Sequence, residues 1–271
     1  MKLAIALLFV TLVRLANAQA MLTNAAALRA IYGDYDPATE TAKGDHWRGN
    51  DDGAERISIE TLLFVQVNSG DPGSRTYVVT SAVPQQTTTG KYECHACAPE
   101  IGVGIFVFEQ GEWKVESKNA CTDTIGQSGQ PPDAELVRIG NDLYGVKLSV
   151  DDMHMGDATT YSEIVAANDK SVSVVWGLME QEDNSGDYDP TGRDGSSERI
   201  NFSSAYRFVP TGPASDHYQI DVVSRGWGYG LDHSYRSQNW NATYRFKGGK
   251  YQLVKRIQFR ELPATKPKPK R

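Results

Sequence analysis

This chain is poor in the residues that usually announce a mechanism. Its 271 residues hold only three cysteines, Cys94, Cys97 and Cys121, which excludes a disulfide-dense scaffold. It contains no His-Glu-x-x-His pair, no Gly-Lys-Ser/Thr phosphate loop and no Gly-x-Ser-x-Gly elbow; Gly126-Gln-Ser-Gly129 falls short of the last. No catalytic residue can be named from a motif. The five histidines (His46, His95, His154, His217 and His233) leave room only for a site assembled from distant loops. Beyond Leu3–Val13 no apolar run approaches the roughly 20 residues of a bilayer-spanning helix, so no membrane span is expected. Positive charge is short as well. With 28 Lys and Arg against 34 Asp and Glu the net charge is −6, which weighs against nucleic acid as a partner.

What is present begins with Met1–Ala18. Lys2, the apolar stretch Leu3–Val13 and the small residues Ala16-Asn17-Ala18 have the form of a signal peptide, with Ala18-Gln19-Ala20 as a second cleavage frame. No cysteine follows the cut, which speaks against a lipid anchor. The mature protein is expected in the periplasm or outside the cell, where thiols oxidise. Residues 19–262 read as a single β-rich domain. Residues 263–271 read as a flexible basic tail, because alternating prolines keep Lys266-Pro-Lys-Pro-Lys-Arg271 extended and solvated.

Met21–Tyr32 is rich in Ala and Leu and predicts a short N-terminal helix stopped by Gly33. After it, runs of Val, Ile, Tyr, Phe and Thr alternate with Gly, Asn, Asp and Pro. They predict strands at Arg56–Val65, Arg75–Ala82, Val103–Glu109, Trp113–Ser117, Glu135–Ile139 and Tyr144–Val150. Six more follow at Thr159–Ala166, Ser171–Leu178, Arg199–Phe208, Tyr218–Val223, Ala242–Phe246 and Tyr251–Phe259. The class is all-β, an antiparallel meander arranged as a sandwich or a partial propeller. Gly33-Asp-Tyr-Asp-Pro37 reappears as Gly186-Asp-Tyr-Asp-Pro190, and Glu55-Arg-Ile57 as Glu198-Arg-Ile200. Two Gly-containing hairpins, Phe106–Trp113 and Tyr244–Tyr251, follow in the same order. The order predicts an internal duplication, with Ala134–Leu178 as an intervening part.

Several places could carry chemistry. Cys94, Cys97 and Cys121 are disulfide candidates, and spacing alone does not choose the pair. The aromatic stretch Gly226–Gly230, with Trp227 and Tyr229 and with His233, Tyr235 and Trp240 nearby, reads as a recognition loop, since flat rings bury much area at small conformational cost. Met153-His154-Met155 reads as a packed Met pair with an exposed His rather than a copper site, because alternate strand residues face opposite ways. Asp187-Tyr-Asp189-Pro-Thr191-Gly192, closed by Glu198, resembles the EF-hand calcium loop over twelve residues. The resemblance implies calcium held by the side chains of Asp187, Asp189, Thr191 and Glu198 and the carbonyl of Arg193. Pro190 and Asp194 depart from the family pattern.

At Cys94-His-Ala-Cys-Ala-Pro99 with Ile101-Gly102, and at the Gly-Glu-Trp hairpin after it, the chain resembles a group of exported bacterial proteins of unknown role. That resemblance implies no activity. Export, the β scaffold, the aromatic stretch and the missing catalytic motifs together favour a non-enzymatic binding protein of the cell envelope. It would act as an inhibitor or immunity factor, recognising a protein or glycan. The competing expectation is a calcium-stabilised envelope hydrolase whose site is assembled from loops.

Overall fold

The computed structural model describes residues 21–43, 56–68, 73–84, 98–127, 129–154, 156–168, 171–189, 191, 198–212, 216–229 and 235–259. The leader, Cys94, Cys97, Arg193, His233 and the basic tail lie outside the described residues. The chain is all-β and antiparallel, with one helix among the described residues, near the N-terminus. Helix α1 (Asn24–Tyr32) is entered through Thr23, whose hydroxyl accepts from the Ala26 N–H at 3.2 Å. It ends at Gly33, which adopts φ +83° and donates back to the Arg29 carbonyl at 2.8 Å. Lys118 donates to the last carbonyls, those of Ala30 and Ile31, fixing the helix to the strand beneath it.

The first sheet is a five-strand meander, β1 (Thr41–Lys43), β2 (Arg56–Val67), β3 (Arg75–Pro84), β4 (Glu100–Glu109) and β5 (Glu112–Thr124), in chain order. Its central strands are apolar without alternation, because both faces are covered. Val78, Ala82 and Phe106 pack under Leu28, Ile31 and Tyr32 of α1. Tyr77, Val79, Ile101, Val103 and Ile105 point the other way, onto Val146, Leu148, Val165 and Val172.

Those partners belong to the second sheet: β6 (Asp133–Arg138), β7 (Tyr144–His154), β8 (Asp157–Asn168), β9 (Ser171–Asp183), β10 (Asn201–Val209), β11 (Gln219–Tyr229), β12 (Tyr235–Ser237), β13 (Trp240–Lys247) and β14 (Lys250–Gln258). The strand order is β14-β13-β11-β10-β9-β8-β7-β6, with β12 on β11. Pairing of β10 with β9 is confined to Asn201–Ser203 against Gln181–Asp183. Past that point the two strands part, and the sheet curls into a half-barrel. The apolar filling of the curl is Ile164, Val175 and Trp176 from one side and Ile220, Val222, Trp240 and Tyr251 from the other. Trp176 is its centre, with ring contacts to Tyr206 at 4.9 Å and Tyr244 at 5.8 Å. The Tyr218 N–H donates to Ile139 at 2.7 Å, tying the start of β11 to the end of β6. The result is a stack of helix, meander, meander and meander.

The repeated motifs occupy corresponding places in this stack. Each Gly-Asp-Tyr-Asp-Pro copy precedes a Glu-Arg-Ile and then a four-strand meander, β2 to β5 in one case and β10, β11, β13 and β14 in the other. Asp36 accepts the Ala38 N–H at 2.9 Å and Asp189 accepts the Thr191 N–H at 2.8 Å, so in both copies the second Asp side chain holds the backbone two residues on. Both closing hairpins have two central residues at positive φ, Gln110-Gly111 and Gly248-Gly249, as a right-twisted two-residue hairpin requires. The turn ends differ in burial: Tyr35 is enclosed by α1, whereas Tyr188 is exposed.

All twelve strands expected from sequence are present. Two were missed, β1 and β12, each only three residues long. Strand β5 runs seven residues past its expected end at Ser117, through the polar stretch Lys118–Thr124, because two register shifts let it follow β4.

Gly102 marks the tightest joint between helix and sheet. A Cβ there would lie 2.6 Å from both the Thr80 hydroxyl and the Tyr32 hydroxyl, which are themselves hydrogen-bonded at 2.7 Å. Gly102→Ala is therefore expected to destabilise the fold by about 2 kcal/mol or more through overpacking. Urea unfolding checks this, and a wild-type midpoint would show that Tyr32 can move aside without cost.

Candidate functional site

The last meander leaves one face of its sheet open. Tyr206, Phe208, Ile220, Val222 and Ala242 face the half-barrel core, so the alternate residues of the same strands face outward. Register places them in rows. Ala205, Val223, Asn241 and Ile257 form one row, and Arg207, Asp221, Thr243 and Lys255 the next. Together these rows line an open groove of about 480 Å³. Ala205 supplies the depth, because it is the smallest side chain in its row. Val223 and Ile257 are 41% and 46% exposed, an unusual placement for branched aliphatic side chains.

Cations surround that apolar centre. Arg207 approaches Asp221 at 3.8 Å, and Asp221 also accepts from Gln219 at 2.7 Å and Thr243 at 3.0 Å. Arg225, two residues along from Val223, lies over the Phe259 ring at 4.7 Å. Arg245, two residues along from Thr243, donates to Gln219. Residues 201–259 carry eight Lys and Arg against three Asp, whereas residues 133–200 carry five against fifteen Asp and Glu. An acidic protein thus concentrates positive charge on its last meander.

The expected aromatic recognition loop divides. Gly226 to Tyr229 is strand, not loop, paired to β10 on one side and to β12 on the other. Its glycines serve close backbone approach: a Cβ on Gly226, which has φ +124°, would lie 2.1 Å from the Asn201 carbonyl oxygen. Trp227 is 39% exposed and stands on the same outer face as Arg225. Trp240 is 8% exposed and belongs to the core, its indole N–H donating to Gln238 and its ring covered by Arg256 at 4.4 Å. Met153, expected to pack, is exposed at the end of β7.

The acidic loop is closed at its base by Asn184. This buried amide donates to the Glu198 carbonyl at 2.8 Å and accepts the Ile200 N–H at 2.8 Å, pinning both ends of the loop. Within it, Asp189 accepts the Thr191 hydroxyl at 2.8 Å. Among the described residues, no three His, Cys, Asp or Glu side chains gather closely enough to form a metal site.

One constellation escaped the sequence reading. Glu163 on β8 is 8% exposed at the contact between the two sheets, accepts the Tyr161 hydroxyl at 2.8 Å and shares a hydrogen bond with Asp123 of β5. Burial, and then the neighbouring Asp123, push the Glu163 carboxyl up to about 8, so at neutral pH Glu163 is the donor of the pair. Gly177, opposite on β9, makes room for Tyr161: a Cβ there would lie 2.4 Å from its hydroxyl. Cys121 is half-buried on the same strand as Asp123. A proton-sharing carboxyl pair can move protons, but none of Asp123, Glu163 and Tyr161 lines the groove on the outer face. Here the pair joins sheets. No helix among the described residues is long and apolar enough to cross a membrane.

The pair makes stability depend on pH with a defined sign. The folded protein holds a proton on Glu163 that the unfolded chain releases above its ordinary value of 4.5, so stability falls as pH rises from there to about 8. Glu163→Gln keeps both hydrogen bonds without the ionisation. The wild type is expected to lose melting temperature relative to this variant between about pH 5 and pH 8, and parallel melting curves would refute the assignment. No protein-family model, curated protein or solved structure matches this chain.

Proposed function

We propose that this is an exported, non-enzymatic binding protein of the cell envelope that docks its partner on the outer face of β10, β11, β13 and β14. The observation that carries the reading is the pairing of exposed Val223 and Ile257 with a cationic surround, Arg207, Arg225, Arg245 and Lys255, on a sheet backed by a packed core. Apolar centres rimmed by Arg and aromatic groups are how protein surfaces prepare for association. Export rests on the form of Met1–Ala18. Trp227 extends the face at its upper edge, whereas Trp240 acts from behind by holding the sheet to its core.

The test is capture from an envelope extract by the wild type and by Val223→Asp with Ile257→Asp. Lys114→Glu, on exposed β5 of the other sheet, serves as the control for surface change. The face variant is expected to lose about tenfold or more of the captured partner while the control retains it. Equal capture by all three would place the binding surface elsewhere.

Calcium enters this reading as a clip on the acidic loop. The support is the Asn184 amide, which brings the chain at Glu198 back to within three residues of Asp187, together with the ligand spacing of the loop itself. Millimolar calcium is expected to raise the melting temperature of the wild type but not of Asp187→Ala. At about ten times its dissociation constant, the ion adds about 1.4 kcal/mol. Identical melts in calcium and in EDTA would leave the segment as an acidic turn.

A further inference from the structure

We infer that the partner of this face is a protein presenting an extended acidic segment in which carboxylate and aliphatic side chains alternate along one side, at every second residue. The inference rests on the docking face proposed above and names the chemistry of what docks there. Lys255 and Ile257 on β14, and Phe259 just past its end, follow at two-residue steps; on β11, Val223, Arg225 and Trp227 do the same. Side chains two apart on a strand are about 6.8 Å apart, the repeat that one side of an extended peptide also presents. Cation and apolar positions thus alternate at the two-residue step with which one side of an extended chain can offer acid and aliphatic groups in turn.

Charge sets the sign of the partner. The face carries Arg207, Arg225, Arg245 and Lys255 with Asp221 as its one carboxylate among the described residues, and Asp221 is already held by Arg207, Gln219 and Thr243. Arg207 and Lys255 stand at opposite ends of one row across four strands, about 14 Å apart at ordinary strand spacing, so the positive charge spans the width of the face. The apolar centre decides against a bare polyanion. A phosphate polymer would leave Val223 and Ile257 in water, and its affinity would depend on cations alone. A segment carrying acids and aliphatic groups on the same side covers both.

The experiment is fluorescence anisotropy of the full chain with a labelled peptide of about eight residues, Glu-Ser-Val-Ser repeated twice, which is about 26 Å long when extended and carries Glu and Val in turn along one side. Inorganic polyphosphate and phosphatidylglycerol vesicles are run beside it. Binding of the peptide is expected to weaken about tenfold in Lys255→Glu and again in Val223→Ser, and to fall with added salt. Lys114→Glu is expected to bind as the wild type does. Polyphosphate or vesicles binding as tightly, with Val223→Ser unchanged, would overturn the inference in favour of a purely electrostatic ligand. Salt-sensitive self-association without peptide binding would overturn it in favour of a second copy, whose acidic residues 133–200 would be the occupant. If the face variants lose envelope capture while the peptide fails to bind, the partner chemistry is wrong and the docking face stands.

Discussion

Burial of the central strands on both faces is the constraint on which the rest of this molecule depends. β3, β4 and β8 each present apolar side chains in two directions, to α1 and the second sheet in the first two cases and to the first sheet and the half-barrel in the third. Each apolar side chain removed from water contributes about 1.5–3 kcal/mol, so a strand buried twice anchors two layers at once. Backbone groups of such strands cannot reach water and must pair along their whole length, which holds the meander in register. The polar groups that enter this contact are correspondingly few and specific, chiefly Tyr32 with Thr80 and the triad of Tyr161, Glu163 and Asp123.

The outer face of the last meander follows from where that stacking stops. β10 leaves β9 after three residue pairs, and the strands beyond it curl over Trp176. One side of β10, β11 and β13 is then committed to the core, and among the described residues nothing covers the other. Strand β14, last in the order, is exposed along nearly all its length, Tyr251 apart. A rigid sheet with a free face and an exposed edge suits recognition, because the side chains it presents are held by the core behind them and lose little freedom on docking.

Much of the architecture was legible from periodicity. The helix and its Thr23 and Gly33 ends, twelve strands and both closing hairpins follow from local chemistry: Ala and Leu before a glycine, β-branched runs between turn residues, and glycine where φ must be positive. β1 and β12 were not legible because three residues carry no period. The strand character of Gly226–Tyr229 was hidden for another reason: glycines that look like loop residues are there to admit Asn201 and Phe202 of the neighbouring strand. Trp227 and Trp240 looked equivalent in the chain and stand on opposite sides of one sheet.

The sequence by itself determined what is local: secondary structure, turn type, the order of the repeated motifs and the opposite signs of charge in residues 133–200 and 201–259. Tertiary structure alone decided what is relational. Glu163 is an ordinary strand residue until β5 brings Asp123 against it and burial retains its proton. Val223, Ile257, Arg207 and Lys255 are scattered over fifty residues until four strands in register set them side by side. A side chain's period along its own strand says that it faces one way or the other. Which way is core and which is water depends on the sheet that packs behind it, and that choice is made by contacts between segments far apart in the chain.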